Sequence, residues 1–249
     1  MERELTSQPG LWQRAIEQSR AESLLPADGA RIALVGCGTS WFKAQAYAVA
    51  RETAGRGVTD AFAASEALID GRGYDAVVAI TRSGTTTEVL ELLRRIDPAI
   101  PTVAIVGDTS SPITTLAGSV VELPYADERS VVQTRFATTA LAYLLTSVGI
   151  DLSAAVEDAR AAVSEETPRE LLDAAPGRVT WVFGEAPEGL DADVAATGAT
   201  YRADGGHPLA TLARVHKTTL DRARARGLDP DAPPQRNLTR SVILEPGRA

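Results

Sequence analysis

The chain is poor in the residues that build metal and redox sites. Its 249 residues include one cysteine, one methionine and two histidines. The lone Cys37 excludes an internal disulfide and fits a reducing, cytoplasmic setting. Two histidines and one cysteine without clustered ligand spacing leave no dedicated zinc site, and no cofactor is expected. Long apolar runs are also missing: no stretch approaches the ~18 uninterrupted apolar residues of a membrane span. The N-terminus, MERELTSQPGLWQRAIEQ, lacks the apolar stretch of a signal peptide, so no membrane partner is expected. Positive charge is scarce too. Against 33 acidic residues stand 25 basic ones, a net charge of -8 with no Lys/Arg-rich run. Nucleic acid is therefore not an expected partner. With 44% hydrophobic residues the chain can bury a sizeable core, as one large domain or two smaller ones.

What is present is a repeated pattern of apolar strand, small hydroxyl-rich loop and helix. Its clearest copy is Val77 to Ile96, VVAITRSGTTTEVLELLRRI. Thr85 and Glu88 have the spacing of a capping box, and Val89, Leu92, Leu93 and Ile96 repeat at helical positions. A hydroxyl-rich helix start suits an anion such as phosphate, because unpaired N–H groups and the positive end of the helix dipole meet there. An ordinary capped loop uses the same residue types. The second copy is Arg31 to Val35, then Gly36-Cys-Gly-Thr-Ser40, then a helix from Trp41 to about Thr53. It has no Gly-Lys-Ser/Thr ending of a Walker loop, and Trp41 stands where a dinucleotide fingerprint needs a small residue.

Further strands are expected at Val58–Ala63, Pro101–Gly107 and Ser119–Leu123, with Ser65 capping a short helix and Ser111–Leu116 forming another. Five apolar strands separated by helices indicate an α/β, three-layer αβα domain built on a five-stranded parallel sheet. Ligands in such sheets sit at the carboxyl ends of the strands, where both hydroxyl loops fall. Residues 1–25 read as one or two amphipathic helices punctuated at Gln8-Pro9, with Leu11, Ile16 and Leu24 as buried candidates. The stretch Ser130–Val148 is apolar nearly all round, so a buried helix is expected there, with Glu128, Arg129, Ser130 and Gln133 in its first turn. Asp151–Val163 reads as a surface helix and 164–177 as a linker. Strands near Val179 and Thr200 and helices at Asp191–Thr197 and Pro208–Arg226 follow. His216 falls on the apolar face of the last helix, and His207 falls in a turn. A unit this small needs support from the first lobe or from another subunit.

Gly36-Cys-Gly-Thr-Ser40, Ala64-Ser-Glu66, Thr81-Arg-Ser-Gly-Thr-Thr86, Glu128 with Val131-Val-Gln-Thr-Arg135, and Arg236-Asn-Leu-Thr-Arg-Ser-Val242 together resemble the sugar isomerase (SIS) family. Within it the chain is similar to the isomerase domain of glucosamine-6-phosphate synthase and to aminosugar-phosphate deaminase/isomerases. The resemblance implies two SIS lobes and a homodimer. Residues 1–163 would form the N-terminal helix and first lobe, 164–177 a linker, and 178–249 a reduced second α/β lobe with a C-terminal arm. It places phosphate hydroxyls at Thr81, Ser83 and Thr86, with Arg82 adding a backbone or side-chain contact. Thr39, Ser40, Val131 and Gln133 would meet the sugar, Arg135 stands where Lys is common, and Arg240 stands where a lysine reaches into the site.

The family's catalytic glutamate and assisting histidine have no counterpart before Val179, as though roughly 45 residues of a typical lobe were absent. Catalytic residues are thus unassigned. Glu66, Glu128 and His216 could be proposed as replacements, though each has a more ordinary structural reading. Cys37 sits at a helix start where a thiol can become acidic, but the same position in the family motif is often Cys without nucleophilic duty. The implied function is sugar-phosphate binding, with aldose–ketose isomerase or deaminase chemistry on aminosugar or hexose phosphates. The alternative is a noncatalytic binding module or pseudoenzyme.

Overall fold

The computed structural model describes residues 1–130, 133–175, 178–183, 188–203 and 206–231. They form two compact units: one holds Leu11–Arg129 and Arg135–Asp151, the other Met1–Gly10, Ser130–Thr134 and the described residues from Leu152 onward. Helix α1, Glu2–Ala21, contributes to both. It is one helix rather than two, with Pro9 inside it. Buried Leu5 and Gln8 before the proline and Trp12, Ala15 and Ile16 after it show why: the packed turns outweigh one lost helical hydrogen bond.

The larger unit contains five strands, β1 (Ile32–Gly36), β2 (Thr59–Ala63), β3 (Ala76–Thr81), β4 (Thr102–Val106) and β5 (Ser119–Glu122). All neighbours pair in parallel in the order β2-β1-β3-β4-β5. The order reverses between β1 and β3, which places a crevice at the carboxyl ends of those two strands. One face of the sheet, with Val35, Val77, Ala79, Ala104 and Val106, packs in one cluster with Val89, Leu92 and Leu93 of α3 (Thr87–Arg95) and Ile113 of α4 (Ile113–Leu116). Strand alternation turns Leu34, Val78, Ile80 and Ile105, all fully buried, to the other face. Helix α2 (Thr39–Thr53) packs on β1, β2 and β3 and against α5 (Arg135–Ser147). The sheet therefore has helices on both faces, as its continuous apolar strands require.

Trp12 is fully buried, and its indole N–H donates to Thr138 Oγ1 of α5 at 2.9 Å. Trp12→Phe keeps most of the bulk and removes that donor. We expect urea unfolding to show a loss of about 1–3 kcal/mol, the cost of a broken buried hydrogen bond.

Several local expectations need correction. Leu24 lies beyond α1 and is 37% exposed. Ser65 sits inside a single 3-10 turn, Ala64–Glu66, and caps nothing. Helix α5 starts at Arg135, so Glu128, Arg129, Ser130 and Gln133 precede it. Its nearly all-round burial is as expected. The start is set by Glu128, whose Oε2 accepts the backbone N–H of Arg135 at 3.0 Å. A carboxylate there satisfies an otherwise orphaned donor and suits the positive end of the helix.

In the other unit, α6 (Ser153–Ser164) packs on α9 (Pro208–Ala225), and its Ala155, Val156, Ala159 and Ala162 are buried. The stretch 164–177 holds a short helix, α7 (Arg169–Asp173), that packs on α9 and buries Leu171. Strands β6 (Val179–Val182) and β7 (Thr200–Ala203) pair in parallel around α8 (Leu190–Ala196). His207 is the N-cap of α9, with Nδ1 accepting the N–H of Leu209 at 3.1 Å. Its ring is a cap and not merely part of a turn. Met1 and Leu5 cluster with Leu220 and Val163, and Glu2 pairs with both terminal nitrogens of Arg224 at 2.8 and 2.6 Å.

Candidate functional site

Two loops leave the carboxyl edge of the sheet beside the reversal in strand order. At the end of β1, Gly36 lies beneath the first turn of α2. A Cβ at Gly36 would come within 2.8 Å of the Ser40 carbonyl carbon, so only glycine permits this approach. The turn closes through Ser40 N–H to the Cys37 carbonyl at 3.1 Å and Trp41 N–H to the Gly38 carbonyl at 3.0 Å. Thr39 is exposed and Ser40 is buried.

The second loop runs from Thr81, the buried last residue of β3, to α3. Its hydroxyls meet in two pairs. Thr81 Oγ1 lies 3.2 Å from Thr86 Oγ1 and accepts the Gly84 N–H at 3.2 Å. Ser83 Oγ accepts the Thr85 hydroxyl at 2.9 Å and the Thr85 N–H at 3.3 Å. The N-cap of α3 is Thr86, and no side chain caps it. The Thr85–Glu88 capping box therefore does not form: the Thr85 hydroxyl turns to Ser83, and Glu88 stays exposed. Uncapped first-turn N–H groups beside a knot of hydroxyls can surround an anion without any lysine or arginine.

Arg82 fastens this loop to its neighbours. Its carbonyl accepts the N–H groups of Gly107 and Asp108 at 3.1 and 2.9 Å, and its guanidinium reaches Asp127 at 3.2 Å and the Glu128 carbonyl at 2.8 Å. Arg135 in turn holds the Asp127 carbonyl through Nε at 2.8 Å. Lys43 of α2 belongs to the same edge. Its side-chain nitrogen lies 4.3 Å from the Phe136 ring centroid, and a Cβ at Gly107 would meet both that ring and the Arg82 carbonyl at 3.1 Å. Burial pushes the Lys43 ammonium down to about 7, and the Glu128 carboxylate pulls the other way. Among the described residues no group of three His, Cys, Asp or Glu could hold a metal ion.

Solved structures share this fold. One, a protein proposed to be a phosphosugar isomerase from Silicibacter pomeroyi DSS-3, superposes with a TM-score of 0.71 at 18% identity, over 93% of this chain and 99% of its own. The glucosamine-6-phosphate deaminase of Thermotoga maritima gives 0.69 at 17% identity, over 97% and 99%. The C-terminal domain of glucosamine-fructose-6-phosphate aminotransferase from Francisella tularensis gives 0.65 at 18%, over 92% and 97%. The chain has the sugar isomerase fold. No protein-family model matches it, and no curated protein does. The likeness to the first two structures runs nearly their full length, so the sugar isomerase fold is not confined to the five-stranded unit.

Within this sugar isomerase fold, the residues expected to bind ligand fall into three groups. In the larger unit Thr39 and Ser40 open α2, Thr81 ends β3, and Arg82, Ser83 and Thr86 lie on the loop between β3 and α3. Gln133 belongs to the other unit, where its Oε1 is buried without a hydrogen-bond partner. Val131 and Arg240 lie outside the described residues.

The conceivable replacement bases fare differently. Glu66 is exposed. Glu128 holds the start of α5. His216 is on α9 of the other unit, and burial pushes it down to about 4. Cys37 gains no acidity from its helix start: burial pushes its thiol up, and the nearby Glu88 carboxylate adds to the rise. Lys43 is the group that the sequence reading missed. Its signal was position, three residues after Ser40 and four after Thr39 on one helix face.

Proposed function

We propose that the Thr81–Thr86 loop cradles the phosphate of a sugar phosphate and that the sugar extends toward Thr39 and Ser40. The carrying observation is the pairing of Thr81 with Thr86 and of Ser83 with Thr85 at the uncapped start of α3. The sugar isomerase fold and the position of both loops at the strand-order reversal support the same reading. The chemistry that fits is proton movement between C1 and C2 of an aminosugar or hexose phosphate, as an aldose–ketose isomerase or deaminase performs it. A protein that binds without turnover is the second reading, favoured by Glu128, which is occupied as the start of a helix, and by Glu66, which faces solvent.

Binding is tested by thermal unfolding with fructose 6-phosphate or glucosamine 6-phosphate. A ligand at about 100 times its Kd stabilises by about 2.7 kcal/mol, a rise of about 5–10 °C for a chain of this size. Ser83→Ala combined with Thr86→Ala should remove the rise. Equal rises in both proteins would place the phosphate elsewhere.

A further inference from the structure

The chain contains two lysines. Lys217 pairs with Asp221 one turn along α9. Lys43 has no such partner: it is 4% exposed, and its nitrogen makes no hydrogen bond among the described residues. Three buried donors without an acceptor weaken a fold, and an aliphatic side chain would pack this place better. A structural role for the amine is therefore hard to find, and its location suggests a chemical one.

Lys43, Ser40 and Thr39 share one face of α2. Side chains on a helix lean toward its N-terminus, so the lysine leans toward the carboxyl edge of the sheet. Its contact with the Phe136 ring, itself close to Gly107 at the end of β4, places the nitrogen at that edge. The charge that opposes it is the Glu128 carboxylate, and Arg82, Asp127 and Arg135 are tied to the same segment. One Glu128 oxygen is engaged with the Arg135 N–H. The amine is the stronger candidate to accept a proton from a ligand.

Resting on the phosphosugar reading above, we propose that Lys43 is the proton-transferring base of this site, acting on the carbon beside the carbonyl of an open-chain sugar phosphate. The neutral amine takes the C2 proton of an aldose phosphate. The released C–H pair becomes the C1=C2 bond, the carbonyl π pair moves to O1, and O1 takes a proton from water, giving an enediol. O2 then returns a proton to water and forms the new carbonyl, and the C1=C2 pair takes a proton from the Lys43 ammonium at C1. Atoms and electrons balance with no oxidant, reductant or cofactor. Burial holds the amine near neutrality at ordinary pH, as a base working there requires.

The test is hydrogen exchange. The full chain is incubated in D2O with fructose 6-phosphate or glucosamine 6-phosphate, and deuterium entering C1 or C2 is followed by proton NMR. Wild type, Lys43→Met and Lys43→Arg are compared, each with its melting temperature and its ligand-induced rise. Wild type should exchange, with a rate that climbs as pH passes through about 7. Both variants should lose about 100-fold or more, the usual contribution of a positioned base, while keeping the ligand-induced rise. Undiminished exchange in Lys43→Met overturns the inference, as does a wild type that binds without exchanging; phosphosugar binding survives in both cases. A wild type whose melting temperature does not respond to either ligand sinks the binding reading and this inference with it. Lys43→Arg guards against a folding failure of the methionine variant, since it keeps a buried cation and cannot deprotonate.

Discussion

Gly84→Ala is expected to cost about 2–5 kcal/mol and to abolish the sugar-phosphate binding proposed above. Gly84 has φ +61, where an L side chain costs about 1–2 kcal/mol. A second cost is added by packing. The new Cβ would lie 1.8 Å from Ser111 Oγ, 2.6 Å from Ser111 Cβ and 2.9 Å from Ile113 Cγ2. Neither neighbour yields easily: the Ser111 hydroxyl donates to the Asp108 carbonyl at 2.5 Å, and Ile113 is fully buried. Overpacking of this kind adds about 1–3 kcal/mol. The loop must move, and Thr81, Ser83 and Thr86 move with it. The two contributions separate in a double variant, because Ser111→Gly removes the contacts to Ser111 and leaves the backbone strain. Urea midpoints should show the double variant recovering about half of the loss. A Gly84→Ala protein within about 0.5 kcal/mol of wild type, the range of an ordinary surface change, would mean that Gly84 is neither held at positive φ nor packed against Ser111 and Ile113.

The parts of the fold that could be read ahead were those written in local pattern. Apolar runs such as Ile32–Val35 and Val77–Ile80 announce fully buried parallel strands, because nothing but helix cover on both faces tolerates them. The hydroxyl loop after β3 was visible for the same reason. What the pattern could not show was the choice among partners close in sequence. Thr85 has the spacing to cap α3, yet its hydroxyl finds Ser83 first. The start of α5 was misplaced because Val131 and Val132 join the apolar stretch that follows Phe136. The group that sets the true start, Glu128, is seven residues from the N–H it accepts. Lys43 was invisible for a related reason. Nothing in Trp41-Phe-Lys-Ala44 says which of three successive side chains turns inward. The structure sends Phe42 to solvent at 61% exposed and buries Lys43, the reverse of what polarity alone would choose. Such a local inversion is a sign of a site rather than of a core.

That inversion has a thermodynamic consequence of defined sign. In the unfolded chain Lys43 titrates near 10.5, and in the folded chain burial brings it to about 7. Between these values the unfolded state holds the extra proton, so stability must rise with pH, by up to about 1.4 kcal/mol per unit. Below about 7 the ammonium is charged in both states, and its burial cost is fully expressed. Across the whole span the change amounts to about 5 kcal/mol. Lys43→Met fills similar space, packs on Phe136 and cannot titrate. It should therefore exceed wild type in stability most strongly at pH 6, by several kcal/mol, and the gap should narrow steadily at pH 8 and 9. Burial also raises Tyr125 and Tyr143, but both groups are common to the two proteins and cancel in the difference. Urea unfolding at each pH measures that difference. A gap that does not change with pH would show that Lys43 keeps its ordinary proton in the fold, which would remove the neutral amine that proton transfer needs. A narrowing gap would show a lysine whose burial costs stability, as expected where a buried group serves chemistry rather than packing.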